Sequence, residues 1–188
     1  LTQDVSFVFH IEKTADVVVD SLTAEISGIP STMELTTGLI LAQKTYKLLF
    51  RPTYAALPSA ADSASAEALR CEASVNIPGI VRSHTEDMVT GPGILQIAIY
   101  THYDYEEEGT QRKAAKVFHA GINLYHTLKE RKSLQWDEEE NGYRQASRSI
   151  TVEIGSPLNI DKDGILNGGS TSTGLDQWIP GETFEIEV

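Results

Sequence analysis

Cysteine is nearly absent. Cys71 is the only one in 188 residues, so no disulfide forms within the chain. Basic charge is scarce as well: 15 Lys and Arg stand against 27 Asp and Glu, a formal net charge of -12. A field of that sign repels phosphate backbones and argues against nucleic acid as a partner. The densest basic patch, Lys129, Arg131 and Lys132, sits beside the acidic residues 137–140 and reads as solvated surface. No apolar run approaches the roughly 20 residues that a membrane-spanning helix needs. The chain also lacks an initiator Met and a charged-then-apolar leader, which reads as a mature or truncated chain whose targeting segment has been removed.

Catalytic signatures are missing in turn. No G-x-S-x-G elbow occurs. The glycine-rich run 168–174 has no lysine after its last glycine, so a phosphate loop is unsupported. His10, His84, His102, His119 and His126 are scattered without zinc-ligand spacing. Cys71 alternates into an apolar strand face, where a thiol is a small inert hydrophobe. No pair of carboxylates stands out for glycoside hydrolysis. The expectation is a non-enzymatic chain with no cofactor and no metal.

What is present is period-2 alternation. Val5, Phe7, Phe9 and Ile11 alternate with mostly polar neighbours, as do Leu22, Ala24 and Ile26. The cleanest set is Leu69, Cys71, Ala73, Val75 and Ile77. Further strands are expected over 46–51, 94–102, 117–125, 149–154 and 183–188. Gly28-Ile29-Pro30, Pro78-Gly79, Gly91-Pro92-Gly93, Asn141-Gly142, Asp163-Gly164 and Pro180-Gly181 read as the turns between them. Residues 112–135 are ambiguous, and alternation of Phe118, Ala120, Ile122 and Leu124 favours a strand followed by a loop over a helix. Residues 55–68, poor in large apolar groups, are expected to form a long surface loop. Many short strands and few helices imply one domain over 1–188, an all-β Greek-key sandwich of about seven to eight strands.

Three patterns carry the remaining chemistry. Asn159, Asp161 and Asp163 followed by Gly164 match the first half of a calcium loop, but Ser170 stands where the closing carboxylate belongs, and a tight turn is the commoner reading. The acidic runs 104–108 and 137–140 read as solvated loop tips. Tyr100, Tyr103, Tyr105, Trp136, Tyr143 and Trp178 are candidates to stack on host or bacterial glycans, although rings at strand ends more often plug a core.

The order of motifs resembles the fimbrillin-like lipoproteins of Bacteroidales, related to anchor and minor subunits of type V pili. The resembling stretches are Leu22 to Pro30 with its Ser27-Gly28 strand end, the apolar Gly93 to Tyr100, Val152 to Ile154 with Ile160, and a closing segment. That segment runs from Gly168-Gly169 through Leu175 and Trp178 to the alternating Phe184, Ile186 and Val188. The resemblance implies a transthyretin-like sandwich forming the C-terminal domain of a longer lipoprotein. It also implies a place at the cell surface, anchored at the outer membrane or built into a fimbria, with other pilus or surface proteins as partners in adhesion. Because Phe184, Ile186 and Val188 alternate cleanly in the last strand, residues 183–188, or else the edge exposed by a missing first strand, are the expected subunit contact.

Overall fold

Alternation puts every second side chain on one face of a strand, and here it decides the architecture. The structure, a computed structural model, describes residues 2–57, 66–81, 92–132, 134–137, 142–145, 148–166 and 178–186; within them, the side chains of 41–43, 66, 134–137, 142–145 and 186 are not described. In chain order the elements are β1 (Gln3–Thr14), β2 (Val17–Met33), β3 (Ile40–Phe50), β4 (Thr53–Ala56), β5 (Ala66–Ile77), β6 (Leu95–Glu107) and β7 (Thr110–Ile122). There follow α1 (Leu124–Glu130), β8 (Leu134–Asp137), β9 (Gly142–Gln145), β10 (Ser149–Glu153), β11 (Leu158–Ile160) and β12 (Ile179–Ile186).

Two five-stranded sheets face each other, and β8 and β9 form a separate ribbon. In the first sheet β1 is central, antiparallel to β5 and parallel to β10 and β11, with β4 beyond β5. The second sheet runs β12-β7-β6-β2-β3 and is antiparallel throughout. The molecule is an all-β sandwich. Its core takes Val5, Phe7, Phe9 and Ile11 from β1, Leu69, Cys71 and Ile77 from β5, and Ile97, Ile99, Phe118 and Ile122 from the opposite sheet. Phe7 stacks on Phe50 across the sheets with ring centroids 5.9 Å apart. Trp178 meets Phe9 edge to face at 5.4 Å. Each such side chain contributes about 1.5–3 kcal/mol when fully buried.

Several expectations need correction. Twelve strands are found among the described residues where about seven to eight were expected, because β4, β8, β9 and β11 are too short to show a period. Residues 55–68 are not a loop throughout. Ala55 and Ala56 pair with Arg70 and Leu69, and Ala68 pairs with Glu12. Small side chains do not prevent ladder hydrogen bonds, which are made by the backbone; residues 58–65 lie outside the described set. Gly28-Ile29-Pro30 is not a turn. β2 passes through it with a bulge, and Gly28 has φ of 77°. A Cβ there would come within 2.5 Å of the Gly93 nitrogen, so only glycine fits. Pro180-Gly181 is likewise a bulge inside β12, not a turn.

The stretch expected as strand and loop, 112–135, is a strand and a short helix. The Asn123 side chain accepts the His126 N–H at 3.0 Å and caps α1, while Leu124, Tyr125 and Leu128 are buried. Seven residues are too few for a helix to hold itself. Burial over one end of the core holds it. Beyond α1, Arg131 donates to the backbone carbonyls of Thr151 at 3.4 Å and Glu153 at 2.8 Å, groups that β10 would otherwise leave unpaired at the sheet edge.

The opposite end of the core closes differently. Lys13 on β1 and Lys116 on β7 both continue inward-facing rows, one from each sheet, and both are buried. Lys13 pairs with Glu67 at 2.7 Å and Lys116 with Glu185 at 3.1 Å. Lys116 also donates to the Lys162 carbonyl at 2.6 Å and lies 5.5 Å from the Tyr103 ring centroid.

Candidate functional site

The sequence candidates scatter when placed in the fold. The Asp161 carboxylate accepts the Asp163 and Gly164 N–H groups at 2.7 and 2.8 Å, and the Asp161 N–H donates to the Gly164 carbonyl at 3.0 Å. This is a tight turn capped by its own aspartate, with Asp163 exposed and Asn159 half-buried on β11. His10 is half-buried on β1. The His102 ring lies 2.7 Å from the Asp20 carboxylate, His126 is buried in α1, and His84 lies outside the described residues. Among the described residues, no three His, Cys, Asp or Glu are grouped to hold a metal ion. Cys71 is fully buried, and burial pushes its thiol up to about 12, so it stays protonated.

Burial also pulls the Lys116 ammonium down, but the Glu185 hydrogen bond together with Tyr103 outweighs it, so its affinity for the proton is raised. Held on several sides by backbone, carboxylate and ring, Lys116 serves as a fastener between the sheets rather than a free base.

The acidic run 104–108 forms one side and the tip of a hairpin arm. Glu108 and Gly109, both at positive φ, make its two-residue turn. Arg112 pairs with Glu107 at 2.8 Å across the arm. Of the acidic residues 137–140, Asp137 lies on β8 and 138–140 fall outside the described set. Tyr103 and Tyr105 continue the inward row of β6 past the core, tilted at 49° to each other, so they form no flat platform. Trp178 is a core plug. Trp136 and Tyr143 are opposite each other in the ribbon, and their side chains are not described.

Among the described residues, exposed apolar side chains gather on the outer face of the second sheet, while Leu35 and Leu166 are exposed singly in connections. Phe184, Val117, Tyr100 and Ser21 occupy one cross-strand row. Phe184 is 51% exposed, and its ring meets the His119 ring edge to face at 5.6 Å. Val117, between Phe184 and Tyr100 in the row, is only 6% exposed although it faces outward. Val18, Ile179 and Leu49 also point to solvent on this sheet. The expected contact residues therefore divide: Phe184 is outward and half-exposed, Ile186 lies opposite Ala115 in the ladder, and Val188 is outside the described residues.

β12 is an edge strand that, among the described residues, pairs only with β7. Its bulge sets Gly181 and Glu182 against the single residue His119. Beside the bulge a groove of about 360 Å³ opens on the outer face, lined by Gln96, His119, Gly121, Ile179, Glu182 and Phe184 among others. Sequence reading missed this groove. Its signals were present: a glycine, Gly121, inside a strand pattern and a Pro-Gly pair inside another.

No helix among the described residues is long and apolar enough to cross a membrane. No protein-family model, curated protein or solved structure matches the sequence.

Proposed function

We propose that the chain is a non-catalytic structural or adhesion subunit working outside the cytoplasm, and that it acts by protein–protein contact through β12 and the outer face beside it. The observation that carries this reading is Phe184, a large apolar side chain half-exposed on an edge strand whose far side is unpaired among the described residues. A bare strand edge is a template for another chain, and contiguous outward apolar groups beside it supply the side-chain contacts. The other edges are blunted. β10 gives carbonyls to Arg131, β4 has four residues, and β3 carries Lys44 and Lys47 with β9 close by. The resemblance to fimbrillin-like lipoproteins supports the same reading and suggests pilus or surface proteins as the partners.

The test is removal of residues 183–188 followed by sedimentation of the envelope fraction. The shortened chain is expected to leave the high-mass assemblies while its far-UV circular dichroism keeps a β signature. Unchanged co-sedimentation with that signature intact overturns the reading.

A further inference from the structure

The groove beside the β12 bulge owes its depth to two glycines that differ in kind. Gly181 is closely packed: a Cβ there would lie 3.0 Å from His119 Cβ and 3.3 Å from the His119 carbonyl oxygen, so His119 would have to give by a few tenths of an ångström. Gly121 is not. It sits in the middle of a ladder between Gln96 and Ile179, its φ is outside the left-handed region, and an added Cβ would meet its nearest neighbours at 3.5 Å, an ordinary contact. Glycine inside a strand weakens it, through lost chain entropy and an absent side chain. The fold does not demand that weakness at 121. What the missing side chain provides is the open floor of the groove.

The walls are of two characters. Phe184 offers a half-exposed aromatic ring, while the His119 imidazole and the Glu182 carboxylate supply hydrogen-bonding groups. Among the described residues no lysine or arginine lines the groove, and the chain carries a net charge of -12, so an anion is disfavoured. A purely apolar occupant would cover the imidazole and carboxylate without pairing them. A ligand with one apolar ring face and a rim of hydroxyls satisfies both walls, and about 360 Å³ is at the small end of ligand-site size.

We propose that this groove is a subsite for a single neutral pyranose ring of a glycan. The ring stacks its C–H face on Phe184 and turns its hydroxyls toward His119 and Glu182, with Gly121 as the floor. This goes beyond the subunit-contact reading and does not rest on it. Gly121 lies on β7, so changing it leaves the β12 edge untouched.

The experiment is titration of the isotopically labelled chain with neutral methyl pyranosides (glucoside, galactoside, mannoside and N-acetylglucosaminide), with glucuronate as the anionic probe and tetramethylammonium as the cationic one. Saturable amide shifts are expected at Gly121, Gly181, Glu182 and Phe184 with at least one neutral glycoside. Saturation transfer should be strongest to that sugar's ring C–H protons, and glucuronate should bind at least about tenfold more weakly. Gly121→Ala should raise Tm by about 1–4 °C, the effect of relieving a mid-strand glycine, and weaken the sugar at least about fivefold. Phe184→Ala should abolish the saturation transfer. Shifts located elsewhere, binding of tetramethylammonium alone, no shift with any glycoside, or full affinity in Gly121→Ala each overturn the assignment.

Discussion

The two outer faces of the sandwich are built on the same alternation yet carry different chemistry. On the first sheet the outward residues of β1 and β5 are mostly polar, Val8 and Ala68 apart, and several knit together: Ser6 with Ser74 at 3.2 Å, Asn76 with Asp4 at 2.6 Å, and Arg70 with Glu72 at 2.7 Å. On the second sheet the outward positions include Val18, Leu49, Tyr100, Val117 and Phe184, with Leu49 71% exposed. The core demands neither pattern, because outward side chains do not pack in it. Polar residues were as available to one face as to the other. Exposed apolar groups gathered on one face are what a contact surface requires, and this is the face on which the proposed function places the contact.

Inward substitutions should outweigh outward ones on either sheet. Phe118→Ala, removing a fully buried ring, is expected to cost about 3–5 kcal/mol in urea unfolding. A cost near that of an outward change would mean the two faces of the second sheet are not distinct.

The next largest contrast is in titration, because two titratable groups with shifted affinity, Cys71 and Lys116, face inward. Both are raised in the folded chain, so each contributes stability below its unfolded value and loses it as pH rises. For Cys71 the window runs from 9.0 to about 12, and Lys116 adds a loss from 10.5 upward. Stability measured by thermal melting should fall above pH 9, and Cys71→Ala should make that fall shallower. An aromatic disulfide reagent at pH 8 should label the thiol only on unfolding; rapid labelling of the folded chain contradicts its burial.

Smaller effects on stability sharpen the comparison of the outer faces. Phe184→Ser with Leu49→Ser should change stability by less than about 1 kcal/mol yet remove the chain from high-mass assemblies. Adding Ser74→Phe on the first sheet should not restore assembly; restoration would mean that any exposed ring suffices and that the second face is not special. Smallest of all, Glu185→Gln should cost less than about 1 kcal/mol, since that carboxylate is 75% exposed although Lys116 is not.

Much of the sandwich was legible because burial on one face imposes a period of two, and period is a property of neighbouring residues. Leu69, Cys71, Ala73, Val75 and Ile77 show it, each lying opposite an inward residue of β1. Glycine and proline were read as turns at Gly28-Pro30 and Pro180-Gly181, where they make bulges instead. Whether a flexible residue reverses a strand or kinks it depends on the strand beside it: Gly93 and Pro92 crowd Gly28, and His119 crowds Gly181. The α1 helix was missed for a related reason. Its seven residues have too little local preference to announce a helix, and Asn123 became a cap only once the core end needed covering.

The candidate site was less legible still. The alternation of Phe184, Ile186 and Val188 marked the last strand, but alternation has two phases and says nothing of which one faces water. Only the pairing of Phe184 with Val117, itself next to the inward Phe118, turned that row outward. By itself the sequence determined that the chain builds half-buried strands around one core, that it carries a strongly acidic field, and that Cys71 lies in an apolar row, for these follow from residue order and composition. Which strand edge is left unpaired among the described residues, where exposed apolar side chains gather and where a groove opens were decided by tertiary structure. Those are relations between strands far apart in the chain, and no local pattern encodes the neighbour that a strand will meet.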